Sequence, residues 1–286
     1  MHPQRTLALL AHQPGVLVSV ERVDGSGPRG VGAWMAVFAD TVVNTIGGGH
    51  LEFQAIADAR ALLLRCAHAP AHAPSDTSVT QRYALGPALG QCCGGVVFLR
   101  LERITLADAP QLQQRLRTPT APVALFGGGH VGSALVQAMA PLPFSVHWID
   151  SRDEIFPTQP PANAVCEHSD PVHAAVADLA EGSAVLIMSF SHAEDLDIVA
   201  ACLQRQRARG DLRFIGLIGS QTKWASFRHR LQERGFSEAE LAQITCPIGI
   251  TGITGKQPEV IAASVVAQLL QRLDTCVQDG VHLLAQ

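Results

Sequence analysis

The spacing of apolar and polar residues divides the chain into two stretches of different character. In the first stretch, short or alternating apolar runs predict strands at Val16 to Val23, WMAVFAD, TVVNTI, VTQRYAL and VVFLRLERI. One helix is predicted among them, from about Leu51 to Cys66, because apolar residues recur there at nearly helical spacing. This combination predicts a smaller N-terminal α+β domain.

The second stretch alternates short apolar runs with helical segments. Strands are predicted at PVALF, SVHWI, NAVCE, AVLIMSF and RFIGLIG, and a long amphipathic helix, EVIAASVVAQLLQRL, follows Pro258. Such alternation favours a mostly parallel sheet with helices on both faces. We therefore expect an α/β chain with a C-terminal Rossmann-like, doubly wound parallel sheet. The predicted domains are residues 1–105 and 122–286, joined by a linker at 106–121 that contains a helical stretch bracketed by prolines.

A glycine-rich turn, FGGGHVG, joins the first strand of the second domain to a helix. Gly127, Gly129 and Gly132 have the G-x-G-x-x-G spacing that permits a tight turn, backbone approach to a pyrophosphate, and close helix–strand packing. The next strand ends at Asp150, 18 residues after Gly132, where dinucleotide-binding folds place an acid that accepts from a ribose hydroxyl. His130 is either a phosphate donor or a solvated residue at the helix start. The turn predicts a nucleotide or pterin-type phosphate ligand, with a purely architectural turn as the alternative.

The first domain contains a second glycine turn, IGGGHLE, between a strand and a helix. Gly47, Gly48 and Gly49, followed by Glu52, form either an anion-binding turn with exposed N–H groups or a simple glycine-filled connection. Nearby, the loop GSGPRG presents Arg29, whose guanidinium suits a phosphate or a carboxylate, unless the loop is a plain surface turn. These residues are candidates for a ligand contact in the N-terminal domain.

Cys92 and Cys93 lie in the stretch GQCCGG, where the glycines on either side supply no bulk to bury sulfur. Vicinal cysteines are too close for an easy unstrained disulfide, and no CxxC or HxxH partner supplies a zinc site. The pair is therefore a candidate soft ligand for a metal or a sulfur-transfer thiolate. A glycine-rich hairpin leading into the next strand is the alternative.

Two further candidates follow strands of the second domain. His192 comes after AVLIMSF and Lys223 comes after RFIGLIG, so both are predicted at the carboxyl edge of the sheet, where doubly wound folds bind ligands. Asp195 lies in the first turn of the helix that His192 begins, where an acid complements the helix dipole and needs no further role.

Charge and cysteine content limit the classes of partner. The net charge is −4 and the basic residues are scattered, so neither nucleic acid nor an anionic membrane is an expected partner. The N-terminus lacks a signal-peptide pattern, and no run approaches the about 18 apolar residues of a membrane span. Seven cysteines, an odd count, favour free thiols in a reducing compartment, so we expect a cytoplasmic location.

The motifs together, over nearly the whole chain, resemble those of the XdhC and CoxI family. Any one of them is a weak signal, but their agreement in order makes a chance match improbable. The matching stretches are GSGPRGVGAWM, IGGGHLE, LGPALGQCCGG, LFGGGHVG, IDSRDEIFP, SFSHAEDLD, GLIGSQTKWASF and CPIGITGITGKQPEVIAASVVAQLL.

The resemblance implies an accessory protein that binds molybdenum cofactor in its molybdopterin form and does not itself turn over a metabolite. It implies that a cysteine desulfurase adds the terminal sulfido ligand while the cofactor is held, and that the cofactor then passes to the molybdenum subunit of xanthine dehydrogenase. A homodimer is also implied. By position, Cys92 and Cys93 would lie near molybdenum, Arg29 and the IGGGHLE turn would line the N-terminal part of the site, and the GGGHVG turn with Asp150 would complete it.

Two other functions remain open at this point. The first is an NAD(P)-dependent oxidoreductase, which has the same glycine turn and for which His192 is the candidate proton donor. The second is a scaffold protein that docks on a molybdenum hydroxylase without holding or loading its cofactor.

Overall fold

A computed structural model describes residues 2–68, 78–85, 94–117 and 119–283, without the side chains of residues 2, 67, 68 and 274–283. The chain divides into two compact units, Met1–Arg117 and Thr118–Gln286. The division falls inside the predicted linker 106–121. Most of that stretch is folded within the first unit, where Leu112 and Leu116 are buried.

The first unit contains a five-stranded antiparallel sheet in the order β3-β2-β1-β5-β4. Its elements are α1 (His2–Leu10), β1 (Gly15–Asp24), β2 (Trp34–Val37), β3 (Val42–Asn44), α2 (Gly49–His68), β4 (Ser78–Ala84), β5 (Val96–Ile104) and α3 (Ala109–Arg115). All five predicted strands are present. Helix α1 was not predicted, and it packs against α3.

Alternate residues of β1 pack in two different cores, because successive side chains of a strand point to opposite faces of the sheet. Val16, Val18 and Val20 face α2 and pack with Leu51 and other buried residues of that helix. On the opposite face, Leu17 packs with Leu10 of α1 and Leu112 of α3. The sheet is therefore covered by helices on both faces.

The second unit contains a six-stranded parallel sheet in the order β11-β10-β9-β6-β7-β8. Its strands are β6 (Ala121–Phe126), β7 (Phe144–Asp150), β8 (Ala164–His168), β9 (Ala184–Ile187), β10 (Phe214–Leu217) and β11 (Ile244–Thr245), and its helices are α4 (His130–Met139), α5 (His192–Arg209), α6 (Gln221–Glu233), α7 (Glu238–Leu241) and α8 (Pro258–Leu283). The predicted fold class, a Rossmann-like parallel sheet beside a smaller α+β part, is confirmed. Only the two-residue strand β11 was missed.

The order in which strands are added to this parallel sheet reverses between β6 and β9. From β6 the chain builds outward through β7 and β8, and then returns to add β9, β10 and β11 on the other side. Helices α5, α6 and α7 cover one face, and α4 with α8 covers the other. Doubly wound folds bind ligands in the crevice at such a reversal point, which here lies beside the glycine turn after β6. None of the helices, as far as the described residues extend, has the length and apolarity needed to cross a membrane.

Candidate functional site

Two glycines of the turn between β6 and α4 are required by packing. Gly127 has a φ of +130°, and a Cβ there would lie 2.1 Å from the carbonyl oxygen of Met188, at the end of β9. A Cβ on Gly132 would lie 2.0 Å from the carbonyl oxygen of Gly127. The fold itself therefore explains these two glycines, because larger residues would push strand and helix apart.

Gly129, the middle glycine of the motif, has no such packing reason. Its φ of −70° is open to any residue, and no atom of the described residues lies within 4 Å of a Cβ built there, outside its chain neighbours. Gly129 is also the N-cap of α4 and offers no side-chain cap to the first turn. The space above Gly129 and the uncapped N–H groups of α4 are the arrangement that binds phosphate in dinucleotide folds. His130 is exposed and borders a groove between α4 and α8, beside Pro258 and Glu259.

Asp150 lies at the end of β7, as predicted, but its carboxylate is occupied by donors of the protein. Oδ2 accepts hydrogen bonds from Gly128 N at 2.6 Å and Arg152 Nη2 at 2.8 Å, and Oδ1 accepts from Arg152 N and Nε, both at 2.9 Å. Burial alone would raise the pKa of Asp150, but these hydrogen bonds outweigh it and hold that pKa below its ordinary value. The predicted role as a free acceptor for a ribose hydroxyl is therefore at odds with the geometry.

The loops after β7 and β9 contact each other. Ser151 Oγ donates to Glu194 Oε1 at 2.6 Å, and the guanidinium of Arg152 lies 4.7 Å from the centre of the Phe190 ring. Phe190 is 67% exposed although it is a large apolar residue. Ser151, Arg152, Phe190 and Glu194 were not among the candidates predicted from the sequence. A signal was present, since Ser151 and Arg152 directly follow β7, and Phe190 and Glu194 lie in the segment that leads from β9 into the first turn of α5.

Asp195 has a larger structural role than that of a first-turn helix acid. It is 2% exposed, and its Oδ1 accepts from Ser189 N and Ser189 Oγ, both at 2.8 Å. Lys223 Nζ donates to Asp195 Oδ2 at 2.6 Å and to the carbonyl oxygen of Ile218 at 2.9 Å. The pair thus joins the loops after β9 and β10. His192, exposed at the start of α5, has its ring 6.3 Å from that of Phe227.

The described cysteines of this unit do not supply a reactive thiol at the rim. Burial raises the pKa of Cys246 to about 11, an effect that the charge of Lys223 only partly offsets. Burial likewise raises the pKa of Cys202 to about 12. Both thiols remain protonated at neutral pH, and the thiolate is the form that binds metals and attacks sulfur.

In the first unit, the glycine turn before α2 binds a carboxylate of its own chain. Glu52 Oε2 accepts hydrogen bonds from Ile46 N at 3.0 Å, from Gly48 N at 3.1 Å and from the hydroxyl of Thr45. Gly47 N donates to Thr45 Oγ1 at 3.0 Å. These N–H groups are therefore not free for an external anion, in contrast to the anion-binding alternative. Gly47, Gly48 and Gly49 all have positive φ values.

Three of the predicted N-terminal motifs come together. A Cβ on Gly47 would lie 2.6 Å from Cβ of Pro28 and 3.1 Å from Cγ of Arg29, so the loop that carries Arg29 packs on the glycine turn. A Cβ on Gly95 would lie 2.3 Å from the carbonyl oxygen of Ser26, in the same loop. Arg29 itself is exposed. Cys92 and Cys93 lie outside the described residues, which resume at Gly94.

Among the described side chains, no group of three or more His, Cys, Asp or Glu residues lies close enough together to hold a metal ion. The metal contact of Cys92 and Cys93, which lie outside those residues, stays a prediction.

Two family models match separate parts of the chain. The model described as the XdhC Rossmann domain matches residues 123–269, and the model of the XdhC and CoxI family matches residues 8–69. The uncharacterized protein YqeB of Escherichia coli (strain K12) is 27% identical over 260 residues, which are 90% of this chain and 43% of YqeB. The chain thus spans less than half the length of that curated relative.

One solved structure shows the same architecture. A structure described as a xanthine dehydrogenase from Bacillus halodurans superposes with a TM-score of 0.76 at 21% identity, covering 96% of this chain and 97% of that one. This likeness shows a shared fold across both units. A Rossmann-fold NAD(P)-binding family protein from Shigella flexneri reaches a TM-score of only 0.35 at 17% identity, covering 51% of this chain and 85% of that one. Because the first family model covers more than half of the chain, this protein belongs to the XdhC family.

Proposed function

We propose that this protein is an accessory protein of molybdoenzyme maturation that holds molybdenum cofactor in its molybdopterin form for a xanthine dehydrogenase. The observation that carries the proposal is the membership of the XdhC family, with matches in both units. The Bacillus halodurans protein of the same fold is described as a xanthine dehydrogenase, which is in keeping with this partner. In this proposal the cofactor is cargo and no metabolite is turned over.

The second unit fits the phosphate end of such a cargo. Gly129 leaves open space at the N-terminus of α4, where uncapped N–H groups can donate to phosphate oxygens. Neither the sheet nor the helix needs a glycine at this position, whereas both need Gly127 and Gly132. A ligand that approaches the backbone closely accounts for the glycine at position 129.

The first unit fits the metal end through residue chemistry. Its glycine turn, the Arg29 loop and the chain directly after the dithiol pack together. Thiolates of Cys92 and Cys93 would be soft ligands for molybdenum, and the guanidinium of Arg29 would attract an anionic group of the cargo. A cysteine desulfurase would then add sulfur to the held cofactor before its transfer, with the chain acting as a cytoplasmic homodimer.

The oxidoreductase alternative is less well supported by the geometry. NAD-binding Rossmann folds use the acid at the end of the second strand to accept from ribose hydroxyls. Here Asp150 occupies that place, but Gly128 and Arg152 already fill both of its oxygens. Binding of NAD would require these hydrogen bonds to be replaced.

The molybdenum and pterin content of protein purified from a cofactor-producing host tests the proposal. We expect nearly one equivalent of each, and we expect Cys93→Ala to lower both severalfold while the circular dichroism spectrum stays unchanged. Cys66→Ala, a half-buried thiol of the same unit, is the matched control. Equal retention by Cys93→Ala would remove the thiol role. A wild-type protein without molybdenum that binds NAD or NADP saturably would instead support the oxidoreductase.

A further inference from the structure

Two contacts cross the crevice above β6. Ser151 Oγ, in the loop after β7, donates to Glu194 Oε1 at 2.6 Å, and the guanidinium of Arg152 in the same loop lies 4.7 Å from the centre of the Phe190 ring. Phe190 and Glu194 both belong to the segment after β9. Because β6 lies between β7 and β9 in the sheet, these residues follow the two strands that flank the strand leading into the glycine turn. They therefore lie where the ring of a ligand would follow its phosphate.

Glu194 has an acceptor atom that the described residues leave unused. Its Oε1 is held by Ser151, but Oε2 is fully buried and has no hydrogen-bond partner in the described part of the chain. A carboxylate oxygen removed from water without a donor costs folding free energy. Such a cost is understandable if a ligand supplies the donor when the crevice is occupied.

Phe190 supplies a flat surface next to this carboxylate. The ring is 67% exposed and contacts the guanidinium of Arg152, so it is not part of either hydrophobic core of the unit. Aromatic rings and guanidinium planes stack on planar heterocycles, as they do on nucleic-acid bases. The exposed aromatic ring and the carboxylate with an unused oxygen lie four residues apart, at the start of α5.

We propose that Phe190 and Glu194 recognise the planar ring of the ligand, with Phe190 stacking on the ring and Glu194 accepting from an edge that carries an amino group beside a ring N–H. Guanine (2-amino-6-oxopurine) and pterins (2-amino-4-oxopteridines) share this edge, and adenine lacks it. The inference rests on the proposed function, since it assigns the pterin end of the cargo to this crevice. It also extends to guanine nucleotides, which present the same donors.

Calorimetric titration with GMP, AMP and 6-carboxypterin tests the assignment. We expect the whole protein to bind GMP and 6-carboxypterin at least tenfold more tightly than AMP. Glu194→Gln replaces the acceptor with an amide and should weaken GMP and 6-carboxypterin at least tenfold without affecting AMP, whereas Phe190→Ala should weaken all three. The matched controls are the exposed residues Glu181 and Phe53, as Glu181→Gln and Phe53→Ala.

Three outcomes would overturn the assignment: AMP binding as tightly as the better of GMP and 6-carboxypterin, a change of less than twofold in Glu194→Gln and Phe190→Ala, or binding of neither GMP nor 6-carboxypterin by the wild type. Binding of 6-carboxypterin but not GMP would still support it and identify the source as a pterin, and the reverse result would identify a nucleotide. Molybdenum content separates this inference from the proposed function. If Glu194→Gln and Phe190→Ala retained all of their molybdenum and bound GMP and 6-carboxypterin as the wild type does, the proposed chaperone role would stand and only the ring site would be removed.

Discussion

Asp150 shows that the position of a carboxylate in the fold does not determine its partner. The end-of-strand position was predictable from the spacing after the glycine turn. Its partner Arg152 was not, because the contact of two residues so close in sequence depends on how the loop after β7 turns back. The same limit applies to Asp195, whose partner Lys223 is brought to it by the pairing of β9 with β10.

Asp150→Asn should lower the free energy of unfolding by about 2 kcal/mol at pH 7, because Arg152 loses its bidentate partner in a largely buried pair. The folded-state pKa of Asp150 is depressed, so its contribution is present above the ordinary aspartate pKa of about 3.9 and is lost as the pH falls through the lower folded value. Urea denaturation at pH 7 and below about pH 4 measures the difference between wild type and variant, which should shrink in acid. Asp153→Asn, at an 85% exposed side chain, should have little effect at either pH.

Lys223→Met should destabilise the second unit by about 3 kcal/mol, because the buried carboxylate of Asp195 keeps its hydrogen bonds from Ser189 but loses its counter-charge. Lys256→Met alters the other lysine of the chain, which is exposed, and should leave the melting temperature unchanged. Equal melting temperatures for Lys223→Met and wild type would show that the pair contributes no net stability.

Among the secondary-structure elements, those with a recognisable pattern of apolar residues were predicted, whereas α1 and β11 were not. The buried strands of the parallel sheet were found because they are short apolar runs bounded by turn residues. Strand β11 has only two residues, too few to form a pattern. Helix α1 has nine residues, and a helix that short depends on packing, here through Leu10 against α3, which its own sequence does not reveal.

The strand-to-helix turn after β6 permits a paired test of fold and ligand binding. Gly132→Ala should lower the free energy of unfolding by about 3 kcal/mol, since its Cβ would approach the carbonyl oxygen of Gly127 to 2.0 Å. Gly129→Ala should leave thermal stability unchanged, because its backbone and surroundings accept a methyl group, yet it should weaken cofactor retention severalfold. Melting curves and molybdenum content measured on both variants separate the two roles. Full retention by a stable Gly129→Ala protein would contradict the phosphate site.

For the whole molecule, the arrangement of the buried clusters indicates two units that fold separately. Each of the four clusters that the described apolar residues form lies within Met1–Arg117 or within Thr118–Gln286. The change of pattern along the sequence was enough to place the boundary within residues 106–121, because a parallel sheet and an antiparallel sheet have different hydrophobic patterns. That pattern did not predict that α3, inside the linker, packs in the first unit, because α3 does so through only a few apolar side chains, among them Leu112.

The second unit by itself allows a test of the glycine turn and of the ring site. Residues 118–286 expressed alone should unfold in one cooperative transition, because both large cores of the second unit are complete within them. This piece retains the glycine turn and the crevice with Phe190 and Glu194, so it should bind 6-carboxypterin within about threefold of the whole chain, a difference under 1 kcal/mol. It lacks Cys92, Cys93 and Arg29, so its molybdenum content after expression in a cofactor-producing host should be far below that of the whole chain. A piece that folds and retains molybdenum fully would show that the metal end of the cargo does not need the first unit.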